Sequence, residues 1–439
     1  MNKIERVYIN FLFFLLTVSL IFGVITAFSF VYPEVLKDIF PFQQLRPMHV
    51  SAAMFWIIGG ASFSIFLHNQ RENPQVNANR GIRDLALILW MLTIIIIFGH
   101  YAFSKFGGRE YWEFPGWISF LLLLSWIGFI TYYYKFWSSE ISKRPQYIIM
   151  WSTGMLFFLL TFIEQNLWQI SWFRHSFIQE VTIQWKANGS MVGAWNQMIY
   201  GTSFYLMVKL SGNKQMAYDK KSIAFYFLGF ANLLFNWGHH IYNVPTNNWM
   251  RHVAYAISMT EWVLFINIIQ GFRHTMDQKK RFSHLITYRF ILASEFWVFM
   301  NLLLALLMSI PALNRYTHGT HVTVAHAMGT TIGINTMILL GSFAYLLKLD
   351  HLNEQAKRRF NYGFMLIQIS LFAFWICLII AGVIKGYEQV HTENRVYASV
   401  LESVLTAMKG FTVSGIFLLA GFVMILPFYF KGIKNTEGK

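Results

Sequence analysis

Residues 317–329 read THGTHVTVAHAMG, and the apolar run that they open continues without a charged residue as far as Leu347. Three histidines thus enter a stretch long enough to cross a bilayer, and ionisable side chains within such a stretch mark a functional site by default. On an α-helix His326 and Met328 lie about 200° apart around the axis, so their side chains leave opposite flanks. Either can ligate a haem iron axially, and one helix can therefore serve a haem on each side. His318 and His321, nearer the interface, read as solvated or capping residues.

The rest of the chain matches this stretch. Of 439 residues, 56% are apolar, 18% aromatic and 13% charged, whereas average chains carry about 25% charged residues. A water-soluble body of this size is excluded, and so is intrinsic disorder. The formal charge of +15 sits in short clusters between apolar runs, which is a pattern of membrane topology and not of a nucleic-acid groove, so no nucleic-acid partner is expected. The single cysteine, Cys377, leaves no c-type haem attachment site, and any haem held here is non-covalent.

Apolar stretches at 8–31, 47–67, 82–103, 116–137, 146–172, 180–208, 222–242, 249–272, 286–311, 319–347, 361–384 and 398–430 predict an all-α integral membrane bundle of twelve transmembrane helices. No long polar linker divides residues 1–439, so a single membrane-embedded domain surrounded by lipid is expected. Basic clusters such as Arg80 and Arg83, Lys220 and Lys221, and Lys357 to Arg359 alternate with loops carrying Glu34, Glu110 and Glu113. The positive-inside bias places both termini in the cytoplasm.

With that orientation His49, the His239–His240 pair and His326 come from three distant spans yet fall at a similar depth in the outer half. A lone histidine on an apolar helix is most often a packing residue. Four at one depth read instead as metal ligands, and a bundle lined by Phe, Trp and Met suits a flat macrocycle.

These residues resemble the haem-copper oxidase superfamily, and within it the catalytic subunit of nitric oxide reductase. The resemblance rests on Arg46-Pro47-Met48-His49, Gly238-His239-His240 and the His326 motif. It also rests on Gly108-Arg109-Glu110-Tyr111-Trp112-Glu113 and Ala293-Ser294-Glu295-Phe296-Trp297. It implies a subunit I type fold in the inner membrane of a bacterium. His49 would be an axial ligand of a low-spin haem b, His326 the ligand of a high-spin haem b3, and His239 and His240 ligands of a non-haem iron or copper. Glu110 would help to bind a calcium ion, and Glu261, in Ser258-Met259-Thr260-Glu261-Trp262, would pass protons near the metal centre. Glu164 and Glu295 are lesser candidates for that task. An electron donor, a c-type cytochrome subunit or another, is implied as partner.

The chain departs from the family at its metal centre and at its low-spin haem. Anchored on Gly193 and Trp195, the metal-binding histidine of the reductases falls on Asn188 and their glutamate on Val192. Met328 stands where a second histidine is usual, pairing with His49 on the low-spin haem. Position 192 also lacks the tyrosine of ordinary oxygen-reducing members. The resemblance therefore implies an oxidoreductase that couples two NO, with Asn188 at a changed metal centre. A dismutase that converts NO to N2 and O2, and a non-catalytic haem relay, are the alternatives.

Overall fold

The computed structural model describes the chain apart from residues 40, 73–79, 135–142, 236, 239–244, 246, 392–396 and 437–439, and leaves out the side chains of 251, 258–267, 269 and 397. Helix α1 spans Lys3–Val31, α2 Phe42–Glu72, α3 Arg80–Ala102 and α4 Ile118–Tyr134. Helix α5 covers Gln146–Gln165, α6 Phe177–Ser211, α7 Lys220–Phe235 and α8 Asn248–Thr275. Then follow α9 over Leu285–Ser309, α10 over His321–Leu346, α11 over Glu354–His391 and α12 over Tyr397–Lys434. Among the described residues there is no strand, only an isolated bridge between Arg109 and Trp112.

Eight of these helices are long and apolar enough to cross a membrane, and α4 is a shorter apolar helix. Helices α6, α7 and α8 overlap the expected stretches 180–208, 222–242 and 249–272 but fall outside that group of eight. The count of twelve crossings is therefore not established, whereas the all-helical membrane character is.

Local chemistry sets the helix ends. Asn2 and Glu5 form a reciprocal capping box that begins α1, with Asn2 Oδ1 accepting from the Glu5 amide at 2.8 Å and Glu5 Oε2 from the Asn2 amide at 2.7 Å. Helix α6 stops at Gly212, whose φ of +70° is the left-handed conformation glycine adopts without a steric penalty. Helices α2 and α10 are the most enclosed, with α1 packed along α2 and α12. Their contact is fixed by side-chain bonds such as Trp56 Nε1 donating to Thr336 Oγ1 at 3.0 Å.

Helix α10 is not uniform. Gly329–Thr336 forms a π-helical segment between the α-helical His321–Met328 and Met337–Leu346. Wide turns of this kind occur chiefly at functional sites. Two glycines let α9 approach here: a Cβ at Gly329 would lie 2.3 Å from Asn301 Oδ1, and one at Gly333 would lie 2.4 Å from the Trp297 ring.

Candidate functional site

A cavity of about 270 Å³ lies between α1, α2, α6, α10 and α12, and its wall includes His49, Met328, His326, Asn188, Val192 and Tyr111. The sequence places His49 and His326 at a common depth on separate helices and, by resemblance, Asn188 at the same centre, and all three line one cavity. His326, Ala327 and Met328 all face it. Three successive residues cover about 200° of an α-helix, so the cavity wraps around α10 and does not end on one flank. The expected pair of separate flanks is thus one continuous space. Its volume is just under the range typical of small-molecule sites, and bound macrocycles would need its walls to part.

The donor set fits haem. His49 Nδ1 lies 2.7 Å from the carbonyl oxygen of Ser19, which can only accept, so Nδ1 carries the proton and Nε2 keeps its lone pair for a metal. Pro47, one turn into α2, lacks an amide hydrogen and leaves the Gln43 carbonyl without its helical donor. Gly23 gives the ring its room: a Cβ there would stand 2.8 Å from His49 Cε1 and 3.0 Å from Nδ1. A Gly23→Ala substitution is expected to displace the imidazole and cost about 1–3 kcal/mol of stability. An unchanged melting temperature in detergent would refute this packing.

His326 Nδ1 is buried and makes no hydrogen bond of ordinary geometry among the described residues, its ring lying against the Asn301 backbone. Asn188 is nearly enclosed on α6, and Val192 follows it one turn later on the same wall. The cavity therefore meets an amide and an isopropyl group where a carboxylate or a phenol would supply protons or electrons. His239 and His240 lie outside the described residues, and Glu261 lies in a described stretch of helix whose side chain is not described. Their places in the proposed centre rest on sequence alone. Among the described residues no group of three His, Cys, Asp or Glu side chains is gathered for a metal.

The carboxylate loop between α3 and α4 caps the same region. Arg46 Nη1 reaches Glu113 Oε1 at 2.8 Å, and Arg46 Nη2 reaches Glu110 Oε1 at 3.1 Å. Tyr111 has a left-handed φ of +71°. Burial pushes the Glu113 carboxyl up, partly offset by Arg46, and the Tyr111 hydroxyl is raised to about 12, by burial and then by Glu110. Arg46 supplies one positive charge between two acids, so the pair of carboxylates keeps one negative charge beside Glu110.

Glu164 and Glu295 are also tied to cations, to Lys186 and to Arg273. A different polar group was not singled out by sequence. His68 is fully buried, with Nε2 at 2.8 Å from Ser342 Oγ and Ser342 Oγ at 2.6 Å from Ser64 Oγ. It lies 19 residues along α2 from His49, about 28 Å at helical rise and so at the opposite end of the bundle. Ser64 and His68, four apart on an apolar helix, were the available signal.

Residues 3–424 match the family described as cytochrome c and quinol oxidase polypeptide I. A cytochrome c oxidase subunit 1 homolog of Agrobacterium tumefaciens (strain T37) is 23% identical over 350 residues, 75% of this chain and 63% of that protein. The chain thus spans under two thirds of that relative. A nitric oxide reductase subunit of Stutzerimonas stutzeri is 21% identical over 426 residues, 88% of this chain and 85% of that protein. A solved heme-copper terminal oxidase dimer superposes with a TM-score of 0.69 at 14% identity, over 100% of this chain and 85% of that chain. At such identity the likeness shows the fold.

Proposed function

The chain belongs to the cytochrome c and quinol oxidase polypeptide I family, and on that premise we propose that it is a membrane oxidoreductase of nitric oxide reductase type. The overall reaction is 2 NO + 2 electrons + 2 protons giving N2O and water. The observation that carries this reading is the cavity wall that Val192 shares with His326, where position 192 offers a valine and not the tyrosine of oxygen-type chemistry. The Gly108-to-Glu113 segment, clamped by Arg46 over the site, supports it as well.

In this proposal His49 and Met328 hold a low-spin haem b, and His326 holds a high-spin haem b3. His239, His240 and Asn188 hold a non-haem iron or copper. These groups supply one-electron transfer and a metal face on which NO binds. The chain's own contribution is positional: the Ser19 carbonyl fixes the His49 tautomer, and the apolar wall keeps bulk water from the substrate. Glu261 is assigned to proton delivery, and an external donor such as a c-type cytochrome to electron delivery. The enzyme is placed in a bacterial inner membrane with both termini cytoplasmic.

Asn188 and Val192 also favour a second reading, dismutation of NO to N2 and O2, because that reaction consumes no protons or electrons. Isotopically labelled NO, given anaerobically to the purified protein, separates the two. Labelled N2O formed only with a reductant present is the expected result, and labelled O2 formed without one would reject the reductase reading.

A further inference from the structure

At the end of the bundle remote from His49, a crevice of about 890 Å³ opens between the start of α1, the ends of α2 and α10, the turn Leu349–His351 and the last turns of α12. Its lining is sharply divided by chemistry. Leu346, Leu347, Leu352 and Phe428 form an apolar wall, while Arg71, Arg80, Lys348 and Lys431 bring four cations to the rim. The one carboxylate in the lining, Glu5, is held at 2.7 Å by the fully buried Arg83 and contributes little negative charge.

Two features place the cations at one opening. Lys348 has φ +58° and ψ +38°, the left-handed turn common just after a helix C-cap, and it ends α10 and sends the chain into the turn at Leu349. Across the crevice Gly432 lets α12 close on Leu347 and Leu349, its would-be Cβ being 3.1 Å from each side chain, and this brings Lys431 to the same opening. Among the described residues neither ammonium group has an acidic or hydrogen-bonding partner.

We propose that this crevice binds the phosphate headgroup of an anionic phospholipid, with Lys348, Lys431 and Arg71 facing the phosphate and Leu352 and Phe428 facing the glycerol and upper acyl carbons. A basic pocket at helix ends, backed by apolar side chains, complements that amphiphile, whereas a free phosphate would leave the apolar wall uncovered. The site lies apart from the haem cavity and does not depend on the substrate.

The test uses the full protein, purified in mild detergent with any subunits that accompany it, then mixed with phosphatidylglycerol or phosphatidylcholine and read by native mass spectrometry. One phosphatidylglycerol retained per chain in preference to phosphatidylcholine is expected. The double variant Lys348→Ala/Lys431→Ala should lower that retention roughly thirtyfold, at about a factor of five per charge removed. Lys434→Ala, which removes a cation outside the crevice, should leave it unchanged, and all proteins should elute alike on gel filtration. Equal retention of the two lipids, equal retention by the double variant, displacement by millimolar inorganic phosphate, or a polypeptide found crosslinked to Lys348 in the lipid's place would each overturn the proposal.

Discussion

A His326→Ala protein is expected to fold and insert but to carry one haem fewer per chain and to turn over NO at less than about one hundredth of the normal rate. Even residues that only orient a metal ligand cost 10–100-fold when removed, so loss of a ligand should cost at least the upper figure. The expectation follows from the cavity, in which His49 and His326 are the histidines on the described wall. Haem-to-protein stoichiometry by the pyridine haemochrome method is the measurement. Because the substitution creates space and removes no backbone bond, added imidazole should restore part of the missing haem. A variant that keeps its full haem content would show that His326 is not a ligand. Met328→Leu provides the contrast: it should alter the low-spin spectrum while leaving the His326 site occupied.

The fold was legible because apolar run length is a direct consequence of bilayer thickness. Each predicted stretch from 8–31 to 398–430 overlaps a helix among the described residues. The count of crossings was less legible, since α6 carries Gln, Asn and Ser side chains through its length and no longer reads as lipid-facing. Of the site, His49 and His326 could be grouped by depth alone, whereas Asn188 was found only through the resemblance anchored on Gly193 and Trp195. What surrounds them could not: the fit of His49 depends on Gly23, and the Arg46 clamp joins residues 64 and 67 positions apart. Periodicity at 3.6 residues also cannot foresee the π-helical segment after Met328, whose Gly329 and Gly333 lie against Asn301 and Trp297 on another helix. His68 escaped notice because its partner Ser342 lies 274 residues away.

The second large effect is expected at Arg83, far from the haem cavity. Its side chain is fully buried, with Nη1 at 2.7 Å from Glu5 Oε1, Nη2 at 2.6 Å from Asp84 Oδ1, and its guanidinium carbon 5.4 Å from the Tyr132 ring centroid. Glu5 cannot swing out to water when its partner goes, because its other contacts, the Asn2 amide and Gln70 Nε2, hold it in the capping box of α1. Arg83→Ala therefore strands a carboxylate in a low-dielectric setting, and removing one partner of a buried pair costs about 3–5 kcal/mol. Replacing both charges by apolar residues of similar volume, as in Glu5→Leu/Arg83→Met, should cost much less, since the desolvation of both ions is then avoided. Thermal unfolding in detergent compares the variants, and a single variant within about 1 kcal/mol of the parent would mean that the pair is solvated or dispensable. Glu5 also faces the basic crevice, so Arg83→Ala should release its negative charge toward Lys348 and Lys431 and weaken phosphatidylglycerol retention, whereas the double variant, which removes that charge, should not. Parallel losses of stability and lipid in the single variant, with both largely restored in the double, would tie the buried pair to the headgroup site through one carboxylate.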